Sequence, residues 1–303
     1  MSAERSLEIK GISKRYGDTV AVQGLSFDVH AGEVFGFVGR NGAGKTTTMR
    51  IVLGVLGADA GEVRWNGVPL GFPARRRIGY MPEERGLYPK MRVAEQLAYL
   101  GELHGMTDSE ARASAVRWLD RFGLKDRGND ELQALSLGNQ QRIQLAAALV
   151  FGPEVLVLDE PFAGLDPMAV DVMSAVLREQ ADAGLPVIFS SHELELVERL
   201  CDRVGIIDRG KIVAIGTVAE LRSGGRERLW VDAPGAPAGW DPGVQGASLV
   251  QTDGSRLLFE LDPGVDNQAL LHAALATGPV LEFGRVEPSL GEVFRTVVEE
   301  AAS

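Results

Sequence analysis

Between residues 7 and 29 the apolar positions fall in short runs rich in Val, Ile and Phe, interrupted at Gly17, Asp18 and Gly24. Short β-branched and aromatic runs punctuated by turn residues predict antiparallel strands. The pattern then changes. Residues 33–38, apolar after Glu33, read as one strand, 39–44 are glycine-rich, and 46–56 carry helical spacing, which predicts strand, loop and helix in succession. From about 91 to 150 the spacing is helical, with Gly105 and Gly123 as stops and Thr107 followed by Glu110 as a capping box. A buried strand at 155–158, a helix at 168–183 and a strand at 187–190 come next, then a further helix and strand ending near Asp208. Buried strands alternating with helices predict a parallel sheet covered on both faces.

Ser223, Gly224 and Gly225 mark a boundary, followed by a Pro/Gly-rich stretch at 233–246. Beyond it, 256–261 and 280–285 read as strands and 267–276 and 289–300 as helices. Residues 226–303 are therefore expected to form a small accessory α+β domain. The sequence shows no internal repeat, low-complexity tract or metal-spaced His/Cys cluster.

Composition narrows the classes. Apolar residues at 45% and charged residues at 24% are the usage of a compact soluble protein and exclude a disordered or fibrous one. Lys and Arg number 31 against 42 Asp and Glu, a net charge of −11, the wrong sign for gripping phosphate backbones, so no nucleic-acid partner is expected. Cys201 is the only cysteine, which excludes an internal disulfide and fits a reducing compartment. The first ten residues lack the apolar core of a signal peptide. The longest apolar stretch, 145–158, is broken by Gly152, Pro153 and Glu154 and is shorter than the roughly 20 residues that span a bilayer. Any membrane role is expected to run through a partner.

The chemistry lies in two segments. Gly39-Arg40-Asn41-Gly42-Ala43-Gly44-Lys45-Thr46 matches GxxxxGK[ST], with Thr47 following. In this loop backbone N–H groups wrap a phosphate chain at a helix N-terminus, and only glycine lets the chain come that close. Lys45 is placed to reach the β- and γ-phosphates and the Thr46 hydroxyl to ligate Mg²⁺. Val155-Leu156-Val157-Leu158-Asp159-Glu160 is an apolar strand ending in two carboxylates. Asp159 suits the Mg²⁺ shell. Glu160 suits the general base, because water is a poor nucleophile at neutral pH.

Leu135-Ser136-Leu137-Gly138-Asn139-Gln140-Gln141-Arg142, just before that strand, resembles the LSGGQ-type signature of ATP-binding-cassette proteins. The resemblance spans about residues 7–222. It implies an α/β phosphate-loop NTPase fold: an ATP-binding domain over 1–225, with an antiparallel β subdomain and a helical subdomain at about 85–152. It further implies Tyr16 as the adenine-stacking ring, Asp166 in the Gly164-Leu165-Asp166 turn at a dimer interface, and His192 as the γ-phosphate contact. Ser136 and Gly138 are implied to touch phosphate. Two departures stand out. Leu137 and Asn139 replace the commoner Gly and Gln, and Glu83, in Pro82-Glu83-Glu84-Arg85-Gly86, stands where most members carry a metal-sensing glutamine, so that its charge must either bind Mg²⁺ through water or be offset by a neighbour such as Arg85.

The segments PEERGLYPKM and GNQQ, with EPSLGEVF near the end of the chain, resemble subunits of bacterial sodium and drug exporters. ATP and Mg²⁺ are the implied cofactors. The implied partners are an integral membrane permease and a second cassette, either an identical copy or a paired relative. The implied location is cytoplasmic, peripheral on the inner face of the cell membrane. A soluble cassette ATPase acting on ribosomes or DNA is the alternative, although translation factors of that kind carry two cassettes in one chain and the DNA-repair members long coiled coils. Neither is present here, and the signature argues against a small-molecule kinase.

Overall fold

The computed structural model describes residues 5–84, 86–223, 227–237 and 239–301. Two compact units emerge, Met1–Gly216 and Thr217–Ser303. Of the expected boundary residues, Ser223 ends a helix, and Gly224 and Gly225 lie outside the described residues.

In the first unit, β1 (Ser6–Tyr16) and β2 (Thr19–His30) form the expected antiparallel pair, followed by β3 (Val34–Val38) and α1 (Lys45–Leu53). Then come β4 (Ala60–Trp65), β5 (Val68–Pro69), the short α2 (Phe72–Arg75) and β6 (Ile78–Met81), elements with too few alternating positions to stand out in the sequence. Three helices follow: α3 (Val93–Leu103), α4 (Asp108–Arg121) and α5 (Leu137–Leu149). The remainder is β7 (Val155–Leu158), α6 (Pro167–Asp182), β8 (Val187–Ser191), α7 (Leu194–Leu200), β9 (Arg203–Asp208) and β10 (Lys211–Thr217).

One sheet has the order β2-β1-β4-β5 and the other β10-β9-β3-β8-β7-β6. In the second sheet β3 pairs in parallel with β8 and β9, and β7 with β6 and β8. All five residues of β3 and all four of β7 are buried, as a strand covered on both faces requires. Phe27 of β2 stacks on Phe35 and Phe37 of β3, with centroids 5.1 and 5.3 Å apart. Pairs of this kind contribute about 0.5–1.5 kcal/mol each beyond area burial, and they pin the antiparallel sheet to the parallel one.

The capping box forms as expected: Thr107 N–H donates to Glu110 Oε2 at 2.9 Å, and the Thr107 hydroxyl accepts from Glu110 N–H. Such a cap holds the start of α4 by about 1 kcal/mol. Cys201 is buried, and burial pushes its thiol well above the usual range, which leaves it unreactive. Among the described residues no helix is long and apolar enough to cross a membrane.

The second unit opens with α8 (Val218–Ser223) and carries an antiparallel sheet of order β12-β13-β11-β14, made of β11 (Glu227–Asp232), β12 (Ala247–Asp253), β13 (Arg256–Leu261) and β14 (Glu282–Val286). Helices α9 (Asn267–Thr277) and α10 (Leu290–Glu300) complete it. Leu229, Val231, Leu257, Phe259 and Leu270 form its own core. Strands β11 and β12 escape the sequence pattern because they flank the Pro/Gly-rich stretch, and β12 is exposed at most positions.

Candidate functional site

The turn between β3 and α1 is closed by backbone geometry that only glycine tolerates. Gly44 has φ +109, and a Cβ there would lie 2.5 Å from the Ala21 carbonyl oxygen. The N-terminus of α1 therefore opens directly onto a cavity of about 380 Å³. Asn41, Gly42, Gly44, Lys45, Thr46 and Thr47 line one side, and Glu83, Glu160, Ala163 and His192 the other. Gly39, Arg40 and Ala43 belong to the same turn without lining the cavity.

Lys45 is only 6% exposed, which for a lysine demands partners. Its Nζ donates to the Gly39 carbonyl at 2.8 Å and lies 3.4 Å from Glu160 Oε1. Glu160 is 8% exposed, and its other oxygen lies 2.9 Å from His192 Nδ1. The backbone at Glu160 is left-handed, φ 49, a conformation that a residue with a Cβ adopts at a cost and that clusters at functional sites. Ser190, at the end of β8, helps to hold it: its hydroxyl accepts from Glu160 N–H at 2.8 Å and donates to Asp159 Oδ1 at 2.6 Å. One fully buried serine thus positions both carboxylates.

Asp159 is 1% exposed, and its Oδ2 has no hydrogen-bond partner among the described residues. A buried carboxylate oxygen left unpaired is unfavourable unless a cation meets it. The unpaired Asp159 oxygen and, on the cavity wall, the Thr46 hydroxyl are hard oxygens of the type that suits Mg²⁺, which binds through one or two protein oxygens, waters and substrate phosphates rather than an all-protein cage. The residues fit the metal. Burial, reinforced by the Asp159 charge, raises the Tyr80 phenol above its usual range.

Other sequence candidates do not line this cavity. Tyr16 ends β1, half exposed, and does not line it. Ser136 caps α5 without a side-chain cap hydrogen bond and is exposed, and Gly138 follows it into the helix. Asp166 caps α6, accepting from Ala169 N–H at 2.8 Å. None of these is among the cavity's lining residues. Arg85, expected beside Glu83, lies outside the described residues. Sequence reasoning missed Ser190, for which a serine at a strand end is the only signal. A larger hollow of about 580 Å³ lies in the second unit. Three of its carboxylates are engaged: Glu292 caps α10 with Ser289, Glu260 pairs with Arg228, and Glu220 accepts from Thr217 N–H.

A parallel sheet, a glycine-rich turn into a helix N-terminus, a buried lysine and a strand ending in two carboxylates define a phosphate-loop nucleoside triphosphatase. The ABC transporter family model matches residues 22–163, and the model described as "ATP-binding protein DrrA1-3-like, C-terminal domain" matches 216–298. The uncharacterized ABC transporter ATP-binding protein YhaQ of Bacillus subtilis is 44% identical over 74% of this chain and 76% of its own length. The linearmycin resistance ATP-binding protein LnrL of the same organism is 34% identical over 91% and 89%. Nod factor export ATP-binding protein I of Burkholderia orbicola is 40% identical over 69% and 70%. A solved ATP-binding subunit of an ABC transporter superposes with TM-score 0.66 at 31% identity, covering 72% of this chain and 92% of its own. The chain belongs to the ABC transporter family, as an ATP-binding subunit with a DrrA-like C-terminal domain. Its activity is the hydrolysis of ATP that energises a membrane permease.

Proposed function

We propose that this chain powers export, converting hydrolysis of Mg²⁺-bound ATP at the Lys45 cavity into movement of an integral membrane permease subunit. The observation that carries the site assignment is the convergence of Lys45, Glu160 and His192 on one cavity at the N-terminus of α1. Export is supported by relatives named for linearmycin resistance and Nod factor export.

In this reading the amides of the 39–46 turn and the Lys45 ammonium bind the phosphate chain, and Tyr16 stacks on the adenine ring. Thr46 and Asp159 hold Mg²⁺, which when bound neutralises charge on the phosphate oxygens. Glu160 accepts the proton of the attacking water, and His192, in hydrogen-bond reach of Glu160 and on the cavity wall, orients that carboxylate and contacts the γ-phosphate. Lys45, 3.4 Å from Glu160, exchanges carboxylate contact for phosphate contact when the chain of phosphates enters.

Ser136, Gly138 and Asp166 are outside that cavity, which supports a site completed by a second cassette, identical or related, bringing its own Ser136 to the nucleotide. Binding energy spent on closing such a pair is what shifts the permease between states, because ATP favours the closed state. The chain then works on the inner face of the cell membrane, with no nucleic acid as partner.

Purification of the full chain from native membranes, followed by ATPase assay with and without the co-purifying permease, tests this. A permease that stimulates hydrolysis and drives ATP-dependent loading of inside-out vesicles is expected. Recovery with ribosomes alone, and hydrolysis stimulated only by them, would overturn it.

A further inference from the structure

Gln144 lies two turns along α5 from Ser136, in a run whose neighbours Ile143, Leu145 and Ala146 are fully buried. It is itself 5% exposed, and a polar side chain at an apolar position needs its hydrogen bonds made. Its amide nitrogen donates to the carbonyl of Pro82 at 2.7 Å and to that of Glu84 at 3.2 Å. Both amide hydrogens are therefore spent on the two residues that flank Glu83, and Glu83 lines the nucleotide cavity.

The surroundings leave this clamp little play. A Cβ at Gly79 would lie 2.3 Å from the Ala148 carbonyl oxygen, so the backbones of β6 and α5 are in contact one turn further along. Asp159 N–H donates to the Met81 carbonyl at 2.8 Å, joining the same strand end to the carboxylate pair. Downstream, the fully buried Gln96 of α3 accepts from Tyr88 N–H at 2.6 Å and donates to the Tyr88 carbonyl at 3.3 Å.

We propose that Gln144 is a positioning residue for ATP hydrolysis: by holding the carbonyls on either side of Glu83, it sets where that carboxylate stands in the cavity and ties it to the helix that begins at Ser136. The inference rests on the nucleotide reading of the cavity given above. Its physical content is that the helix carrying the signature and the acidic loop beside the phosphates move as one piece. Gln144 touches neither nucleotide nor water, and it acts through Glu83.

The test uses the full chain with Gln144→Met, which keeps length and loses both donors, and Gln144→Glu, which sets a carboxylate against two carbonyls. Backbone hydrogen exchange over residues 82–90, measured without nucleotide, should quicken at least ~10-fold in Gln144→Met while β7 stays unchanged. The kcat for ATP should fall about tenfold with KM within about threefold, the pattern of a lost arrangement rather than lost binding. Adding Glu83→Gln should then change kcat by less than about twofold, although Glu83→Gln alone shifts both kcat and the Mg²⁺ dependence, because the two positions act in series.

Unchanged exchange in Gln144→Met, or single-variant effects that multiply in the double variant, overturns the proposal. Should Gln144→Met not fold, Gln144→Glu is judged by the same criteria, and fast exchange over 82–90 in the wild-type chain overturns it by itself. A wild-type chain without Mg²⁺-dependent ATPase activity sinks the reading of the cavity instead, so the two failures are distinct.

Discussion

Glu160→Gln is expected to leave ATP bound and to lower its hydrolysis by about 10²–10⁴-fold, the range that a positioned general base contributes. The substitution keeps the shape of a side chain already held on three sides. Ser190 accepts from the residue 160 N–H, and Lys45 and His192 stand at its two oxygens. What is lost is the proton acceptor. The left-handed backbone at 160 is unchanged by an isosteric side chain, so the fold should hold. ATP that binds and is not cleaved keeps the closed pair closed, and the variant should run as a dimer on gel filtration with ATP where the wild type does not. Hydrolysis within about threefold of wild type would mean that another group takes the proton.

Lys45→Ala should abolish turnover and weaken ATP by about 10–100-fold, the equivalent of one charge-assisted contact of about 1.5–3 kcal/mol. Besides the His192 imidazole, the buried ammonium is the one basic group within 4 Å of Glu160 among the described residues, so its loss also removes the ammonium charge that faces the carboxylate and the phosphates. ATP at 100 times its dissociation constant stabilises a binding protein by about 2.7 kcal/mol. Thermal unfolding of the wild type should show that shift with Mg²⁺-ATP, and Lys45→Ala at the same concentration should keep only about 0.4–1.4 kcal/mol of it. A full shift in the variant would place the nucleotide elsewhere.

The parts of the fold that were legible are those where one local rule decides. The all-apolar run Val155–Leu158 is a strand with those bounds, and Thr107 with Glu110 makes the expected cap. The turn from Gly39 to Thr46 was legible because its chemistry demands glycine at fixed spacing. The parts that were not legible depend on contacts between distant segments. Ser190 reaches Asp159 across 31 positions, and Gln144 reaches Pro82 across 62. A lone serine or glutamine carries no periodic signal of such a contact. Strand β11 was lost because its partners β13 and β14 lie far along the chain, on the other side of the Pro/Gly-rich stretch. Nor could spacing show that Ser136 and Tyr16 fall outside the cavity that Lys45 lines.

Because Ser136 does not line the cavity that Lys45 lines, completion of the site by a second cassette can be tested in trans. Ser136→Arg and Lys45→Ala, each inactive alone, are mixed as full chains, and dimers containing one of each are isolated with two affinity tags. Pairing head to tail gives such a dimer one composite site with neither substitution and one with both. Mixed dimers are expected to recover ATP hydrolysis at about half the wild-type rate per dimer. Demonstrably mixed dimers that remain as inactive as their parents would contradict completion of the site in trans.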